Sequence, residues 1–311
     1  LALDTNIIDY DSSDLTALVP EVCEPEVVRM AVQRKPDTWA HFVLSDGTVA
    51  MLVYDKVEQV VGWFKVESLG AGGIIEDVMV LPAGSGRTED HVYYTIKRTV
   101  NGATVRYHEK WALESECTLD STGQLAACKL ADSHVVYSGA AATVISVAHL
   151  IGQQVVVWAN GVDVGTDATG NLIHTVSGGG TITLSVAATP VVVGLRYSAP
   201  WQSAKLVELM ADPGGSLADQ QIIRRMDLIL ADVHAKGLKF GRNLTEAQMN
   251  DLPMVDEDGS PVGANEIRSE YVMADITFPG DYSHNARLCL LAKAPRPCTV
   301  LAAIADLEHH G

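Results

Sequence analysis

Two dipeptides that favour tight turns constrain the fold of this chain more than any other feature. Asp46-Gly47 separates residues 41–44 from 49–54, and Asn101-Gly102 separates residues 92–98 from 104–108. The four flanking segments are rich in β-branched and aromatic residues. Because both dipeptides tolerate the positive φ of a type I′ turn, each arrangement predicts an antiparallel β-hairpin.

Two further strands are predicted between the hairpins, at residues 60–66 and 76–81. The strands then form two units of similar outline, each roughly 40 residues long, which is the period of a β-propeller blade. Two blades cannot close a ring, so a propeller needs further blades from another segment or from a partner. Since the chain starts at Leu1 and not at a methionine, we expect the missing part to lie upstream.

A second β module is predicted downstream of the blades. Asn160-Gly161 and the glycines at 178–180 provide turns within it. Short valine-rich runs recur between such turns, at residues 143–147, 154–158, 181–186 and 191–197. This pattern is typical of a small β-barrel or sandwich.

The N-terminal residues carry one helical signal. Residues 14–19 are predicted to form a short helix, capped by Ser13 or Asp14 and ended by Pro20. We interpret this region as a connector that leads into the first blade.

The C-terminal region is also predicted to be β-sheet. Residues 217–225 allow a short helix, but the alternation of apolar residues from Ile222 to Leu230 favours a strand running on to His234. Further strands are predicted at residues 270–278, 286–291 and 298–304, the first two joined by the turn Pro279-Gly280-Asp281. His309-His310 is expected to belong to a mobile tail.

The whole chain is therefore predicted to be all-β, with partial antiparallel propeller blades, a small barrel or sandwich and a C-terminal β region. The predicted domains are residues 1–26, 27–130, 131–200 and 201–311, in the order connector, blades, small module and C-terminal region.

Charge and composition exclude several classes of function. The 311 residues include 22 Lys and Arg against 39 Asp and Glu, a net charge of −17 that opposes tight binding of a polyanion. Sequence-specific binding of nucleic acid is therefore not expected, although an acidic surface would let DNA slide past. The five cysteines form no C-x-x-C motif, and no apolar run reaches the roughly 18 residues that span a bilayer.

No catalytic or metal-binding motif is complete. His108-Glu109 begins like a zinc-protease helix, but Ala112 stands where the second histidine belongs. Asp256 and Asp258-Gly259 imitate a calcium loop whose first ligand position holds Met254. We therefore predict no catalytic residue, no metal and no cofactor.

Aromatic and basic residues suggest two candidate surfaces. Around the Asn101-Gly102 hairpin, Arg98 and Arg106 flank three tyrosines, and these five residues either pack across strands or form a protein interface. The tyrosines are Tyr93, Tyr94 and Tyr107. Trp158 and Trp201 are candidate ligand-facing aromatics for a receptor or a sugar.

The strand-and-turn pattern resembles the blade repeats of the tail nozzle family of short-tailed bacteriophages, also called tail tubular protein B or packaged-DNA stabilisation protein. The segments that carry this resemblance are residues 46–55, 60–66, 76–82, 90–94 and 97–109. Residues 134–197 resemble the small β module that follows those blades, and residues 224–241 also fit the pattern.

The resemblance implies a virion protein that is assembled in the cytoplasm of a bacterial host. It implies a subunit of a ring in the phage tail, often sixfold, that contacts copies of itself and other tail or adaptor proteins. The lumen of such a ring conducts the genome, and its gate retains the genome before ejection. The family assigns no catalytic role to any residue here.

The sequence alone leaves three possible functions. The leading hypothesis is a structural ring component, the second is a receptor- or carbohydrate-binding β module of a phage tail, and the third is a tail-borne hydrolase. A binding module requires exposed aromatics on one face. A glycoside hydrolase requires two carboxylates across a groove.

Overall fold

The computed structural model describes residues 2–4, 9–11, 14–68, 70–119, 125–167, 170–206 and 219–310, with side chains from residue 14 to 308. The chain divides into two compact units, residues 1–113 (unit 1) and 114–311 (unit 2). Strands dominate both units, and all strand pairings between described residues are antiparallel, which confirms the all-β prediction. No described helix is long and apolar enough to cross a lipid bilayer.

The only described helices are single 3₁₀ turns. They are Pro20–Cys23, Gly70–Gly72, Glu114–Glu116, Ala148–Leu150 and Glu246–Gln248.

Unit 1 contains a small hairpin and two larger sheets. Its strands are β1 (Ala2–Asp4), β2 (Asp9–Asp11), β3 (Val27–Gln33), β4 (Trp39–Leu44), β5 (Val49–Asp55), β6 (Val60–Val66), β7 (Ile74–Leu81), β8 (His91–Val100) and β9 (Ala103–Lys110). Strands β3-β4-β5-β6 form sheet 1 in chain order, and β7-β8-β9 form sheet 2. A four-stranded antiparallel meander such as sheet 1 has the strand order of a propeller blade.

Both predicted hairpins are confirmed. Strand β4 pairs with β5 across Asp46-Gly47, and β8 pairs with β9 across Asn101-Gly102. Asn101 and Gly102 have φ values of +49° and +76°, as a type I′ turn requires. Gly47 is also needed for space, because a Cβ there would lie 2.4 Å from Cγ2 of Ile74.

Sheets 1 and 2 pack face to face around one hydrophobic core. Its buried residues are Val43, Val49, Met51, Ile75, Val78, Val92, Tyr94 and Ile96. The buried carboxylate of Asp90 accepts backbone N–H bonds from Arg34, Lys35 and Ala83 at 2.7–3.1 Å, which ties the loops around the core together. Burial acts to raise the pKa of Asp90, but these donors outweigh it and the pKa lies below its ordinary value.

The predicted helix at residues 14–19 is wrong. Residues 15–18 form turns, and Asp14 Oδ1 accepts bonds from the backbone N and the hydroxyl of Thr16, at 2.8 and 2.7 Å. An aspartate that bonds two residues ahead stabilises a turn in competition with a helix, and Pro20 restricts the residue before it. The segment continues as the 3₁₀ turn Pro20–Cys23.

The described residues of unit 2 form four sheets. Its strands are β10 (Asp132–Tyr137), β11 (Ala142–Ser146), β12 (Gln154–Ala159), β13 (Val162–Asp163), β14 (His174–Thr175), β15 (Thr181–Ala188), β16 (Val191–Leu195), β17 (Ser198–Gln202), β18 (Gln220–His234), β19 (Leu238–Gly241), β20 (Asn250–Asp251), β21 (Ile267–Thr277), β22 (Cys289–Lys293) and β23 (Thr299–His310). The sheet orders are β10-β16-β12-β13 with β14 beside β12, β11-β15, β17-β22-β19-β20 and β21-β18-β23. The described strands form no closed barrel.

A partly buried arginine, Arg296, joins the predicted small module to the C-terminal region. Arg296 Nε donates to Asp163 Oδ2 at 2.9 Å, Nη2 donates to the Thr166 hydroxyl at 2.9 Å, and Nη1 donates to the Lys236 carbonyl at 3.1 Å. The side chain of Asp163 is almost completely buried. These bonds cross the domain boundary predicted near residue 200.

The predicted strand running to His234 is confirmed as β18, and residues 217–218 lie outside the described residues. The predicted pairing of residues 270–278 with 286–291 is wrong, because β21 pairs with β18 whereas β22 pairs with β17 and β19. The predicted mobile tail is also wrong. His309 and His310 belong to β23, where their backbones pair with β18.

Candidate interaction surfaces

The structure does not bring the five residues of the predicted tyrosine and arginine cluster to one surface. Side chains alternate across β8, so Tyr94 and Arg98 point into the core of unit 1 and Tyr93 points to the opposite face. Tyr107 lies opposite Ile96 on the core side, and Arg106 lies opposite Lys97 on the outer side.

Arg98 is a buried structural residue. Its Nε and Nη2 donate to Glu109 Oε1 and Oε2 at 2.8 and 2.7 Å, and its Nη1 donates to the Gly70 carbonyl at 2.7 Å. The guanidinium has no exposed surface. Arg98 therefore fixes the loop before β7 to the end of the hairpin, and Glu109 is committed to this ion pair and not to a metal.

Tyr94 belongs to a buried aromatic group. Its hydroxyl lies 2.6 Å from Nδ1 of His41, and Trp111 packs against both rings. Burial lowers the pKa of His41 to about 4 and raises the pKa of Tyr94. His41 is therefore neutral at pH 7, and its Nδ1 shares a hydrogen bond with the tyrosine hydroxyl.

Acidification is expected to weaken unit 1 through His41. Because the folded pKa of about 4 lies below the ordinary 6.5, the stabilisation is complete above pH 6.5 and is lost as the pH falls toward 4. The free energy of unfolding of unit 1 is expected to fall by about 3 kcal/mol in total. Amide exchange of β4 and β8 between pH 7.5 and 4.5 measures it.

The His41→Gln variant is the control. Carboxylates that titrate below pH 5 affect the stability of the variant and of the unchanged protein equally, so a difference between the two proteins reports His41. The difference in exchange between the two proteins should change over pH 6.5 to 4. A difference that is constant with pH would contradict the role of His41.

The outer face of sheet 2 combines a charged network with the exposed apolar residues Ile74, Met79 and Leu81. Glu76 accepts from Nε and Nη2 of Arg106 at 2.6 and 3.1 Å and lies 3.8 Å from Nζ of Lys97. The hydrogen bond from Arg106 lowers the pKa of Glu76. Met79 and Tyr93 lie side by side beside this network, on the same face. The charged part of this face is suited to solvent or to a polar contact.

The outer face of sheet 1, opposite the core, has a different character. Two successive rows of side chains cross all four strands there: Met30, Phe42, Ala50 and Lys65, and then Val32, Ala40, Leu52 and Trp63. Seven of these eight residues are apolar, and none is acidic. An antiparallel sheet with one face in water normally alternates apolar and polar residues, so sheet 1 has the composition of a sheet that is buried on both sides.

The N-terminal segment covers only part of this outer face. Val19, Val22 and Cys23 pack in one cluster with Leu44 and with three members of these rows, Phe42, Ala50 and Trp63. The Trp63 indole donates to the Leu15 carbonyl at 2.9 Å. The centre of the face is buried at Ala50 and Leu52, and the exposed apolar residues lie on its two edge strands. Met30 on β3 is 60% exposed, and Val32 on β3 and Val61 on β6 are also exposed. Strand β3 is not predicted from the sequence, and neither is this surface. The alternation of β3 places the apolar Met30 and Val32 on the outer face, with Arg29 and Gln33 on the side of the core.

The two candidate tryptophans have opposite environments. Trp158 is completely buried in unit 2, and its indole donates to the Leu125 carbonyl at 2.8 Å. Trp201 is 51% exposed on β17, at the edge of its sheet. A shared binding face of two tryptophans is therefore absent, and Trp201 alone is available to a ligand.

The described residues contain no group of three or more His, Cys, Asp or Glu side chains that could hold a metal ion. The acidic turn that imitates a calcium loop is closed by its own side chains. Asp258 Oδ1 accepts from the backbone N and the hydroxyl of Ser260 at 2.9 and 2.6 Å, and Asp256 pairs with Arg268.

A shallow cleft of about 190 Å³ in unit 2 is lined by polar residues, including Arg242, Asn243 and Asp281, and by apolar ones such as Ile222 and Phe278. Arg242 lies 3.8 Å from Asp281, and Asn243 donates to Gln248 at 2.8 Å. Asp281 is the only acid among the residues that line this cleft. The cleft thus lacks the two carboxylates that a glycoside hydrolase needs.

Protein-family models do not match this chain, and no curated protein matches it significantly.

Proposed function

We propose that this chain is a structural subunit of a bacteriophage tail, which assembles with copies of itself and with other tail proteins into a ring around the path of the DNA. The observation that carries this proposal is the apolar outer face of sheet 1. A sheet that is apolar on both faces is stable in water only when a further layer covers it.

The packing inside unit 1 suggests what that layer is. Sheets 1 and 2 already stack face to face, as neighbouring propeller blades do, and a further β-sheet on the outer face of sheet 1 would repeat the same contact. This sheet comes from another copy or from another part of the tail. The resemblance of residues 46–109 to nozzle blades supports this interpretation.

The charge of the chain fits the same role. A net charge of −17 disfavours adhesion of DNA, so a lumen formed by such subunits would let the genome pass without binding it. The edge strand β3 exposes Met30 and Val32 on the outer face of sheet 1, and the two rows that contain them include no acid, so two assembling surfaces can meet there without carboxylate repulsion.

A receptor- or carbohydrate-binding module is the second candidate, and Trp201 is the observation that favours it. An exposed tryptophan on an edge strand offers a flat apolar surface to a sugar ring or to a protein. Trp201→Ala would abolish binding to a host cell surface under this alternative and would leave binding unchanged under the assembly proposal.

Met30→Asp is expected to weaken self-association about tenfold, because it places a carboxylate in the uncovered apolar surface. Sedimentation equilibrium across a range of concentrations measures the effect. Met79→Asp is the matched control, since Met79 is similarly exposed, at 52%, but lies on the outer face of sheet 2, beside its charged network. If both variants associated as strongly as the unchanged chain, the result would contradict the role of sheet 1.

A further inference from the structure

The sheet β21-β18-β23, here called the terminal sheet, has two outer edges of different composition. Strand β21 contains Arg268, Glu270 and Asp275. Charged side chains on an edge strand prevent pairing with other chains. Strand β23 begins with seven residues, Thr299 to Ala305, that include no charge, no proline and no glycine. The β23 edge therefore lacks the usual protection.

One edge of β23 is paired with β18 from Thr299 to His310, and no described strand pairs with its other edge. That edge presents backbone N–H and C=O groups over a long strand. The exposed apolar side chains lie along the same stretch, with Leu301 63% and Ile304 58% exposed. Together these features form a template for a further antiparallel strand.

We infer that β23 pairs with β23 of a second copy of this chain. A twofold axis perpendicular to the strands makes two identical edges run antiparallel, so the two edges match without any change in the fold. The result is one continuous six-stranded sheet. This inference rests on the proposed self-association and names one of its contacts.

Charge and register support a second copy as the occupant. In a chain with net charge −17, the uncharged stretch of β23 is a place where two copies approach without repulsion. A register centred on Ala303 places Ala302 of each copy opposite Ile304 of the other, and both side chains lie on the outer face. The two Asp306 carboxylates are then roughly 20 Å apart, beyond the Debye length of about 8 Å.

Ile304→Lys is expected to raise the dissociation constant of this contact about tenfold, because lysine on an edge strand opposes pairing. Leu301→Lys is expected to act in the same way. Agreement between the two variants would show that the weakening does not come from a disturbance at residue 304 alone. Val272→Lys is the matched control. Val272 is 68% exposed on the same outer face, but it lies on the opposite edge strand, β21. Sedimentation equilibrium of the full chain measures all four proteins.

Hydrogen exchange gives the second readout. Amides of residues 299–305 should exchange more slowly at concentrations where the chain is associated than after dilution, whereas amides of β21 should not change. A self-associating chain in which Ile304→Lys and Leu301→Lys have no effect would overturn β23 pairing and leave the proposed function standing. Equal weakening by Val272→Lys would also overturn it, because stacking of whole faces would then be the contact. A chain that is monomeric at all concentrations would overturn this inference and the proposed assembly together.

Discussion

Replacing Glu109 by glutamine is expected to lower the free energy of unfolding of unit 1 by about 3 to 5 kcal/mol. Arg98 has no exposed surface, and its Nε and Nη2 both donate to this carboxylate. A neutral amide cannot balance the charge that remains buried. Urea unfolding of the full chain, with hydrogen exchange of β8 and β9 to localise the effect, measures the loss.

Glu76→Gln is the control for this prediction. Glu76 also accepts two bonds from an arginine, Arg106, and it lies on β7 of the same sheet. Arg106 is largely exposed, so solvent replaces the lost interaction and little change is expected. Similar losses from the two substitutions would contradict the structural role of the buried pair.

Gly73→Ala is expected to destabilise unit 1 by about 3 kcal/mol. A Cβ at this position would lie 1.9 Å from the Ser68 carbonyl oxygen and 2.9 Å from Arg98 Nη1. The loop must therefore move, and the bond from Arg98 to the Gly70 carbonyl is lost with it. Thermal unfolding of the full chain, again localised by hydrogen exchange, measures the effect.

Gly84→Ala is the matched substitution, because a Cβ at Gly84 would meet no atom within 4 Å. We expect it to change the stability by less than about 0.5 kcal/mol. If Gly73→Ala were equally neutral, the close packing of the loop against Arg98 would be incorrect.

Local signals were sufficient to predict the strands of unit 1 that flank tight turns. Asp46-Gly47 and Asn101-Gly102 fix both the turn and the register of their hairpins, so neighbours along the chain carry the information. Alternation also identified β18 as a strand. Strand β3 is not predicted, because its alternation is the reverse of the usual one: the apolar Met30 and Val32 face outward, and Arg29 and Gln33 lie on the side of the core.

The sites depended on contacts that the sequence does not reveal locally. Arg98 looked like an interface residue because it is basic and lies near tyrosines, although it shares the parity of Val92 and Ile96 and so belongs to the core face. The alternation of residues 92, 94, 96 and 98 along β8 was the signal in the sequence that could have placed Arg98 on the core face. The pairing of β21 with β18, and not with β22, is set by partners more than 30 residues apart, which turn residues cannot specify.

The most direct test of the assembly proposal is the mass of the purified full chain in solution, measured by light scattering over a wide range of concentrations and followed by imaging of the particles. We expect a defined multiple of the monomer mass at high concentration and closed rings with an open centre in the images. A monomer at every concentration, with no particle larger than a single chain, would contradict the account.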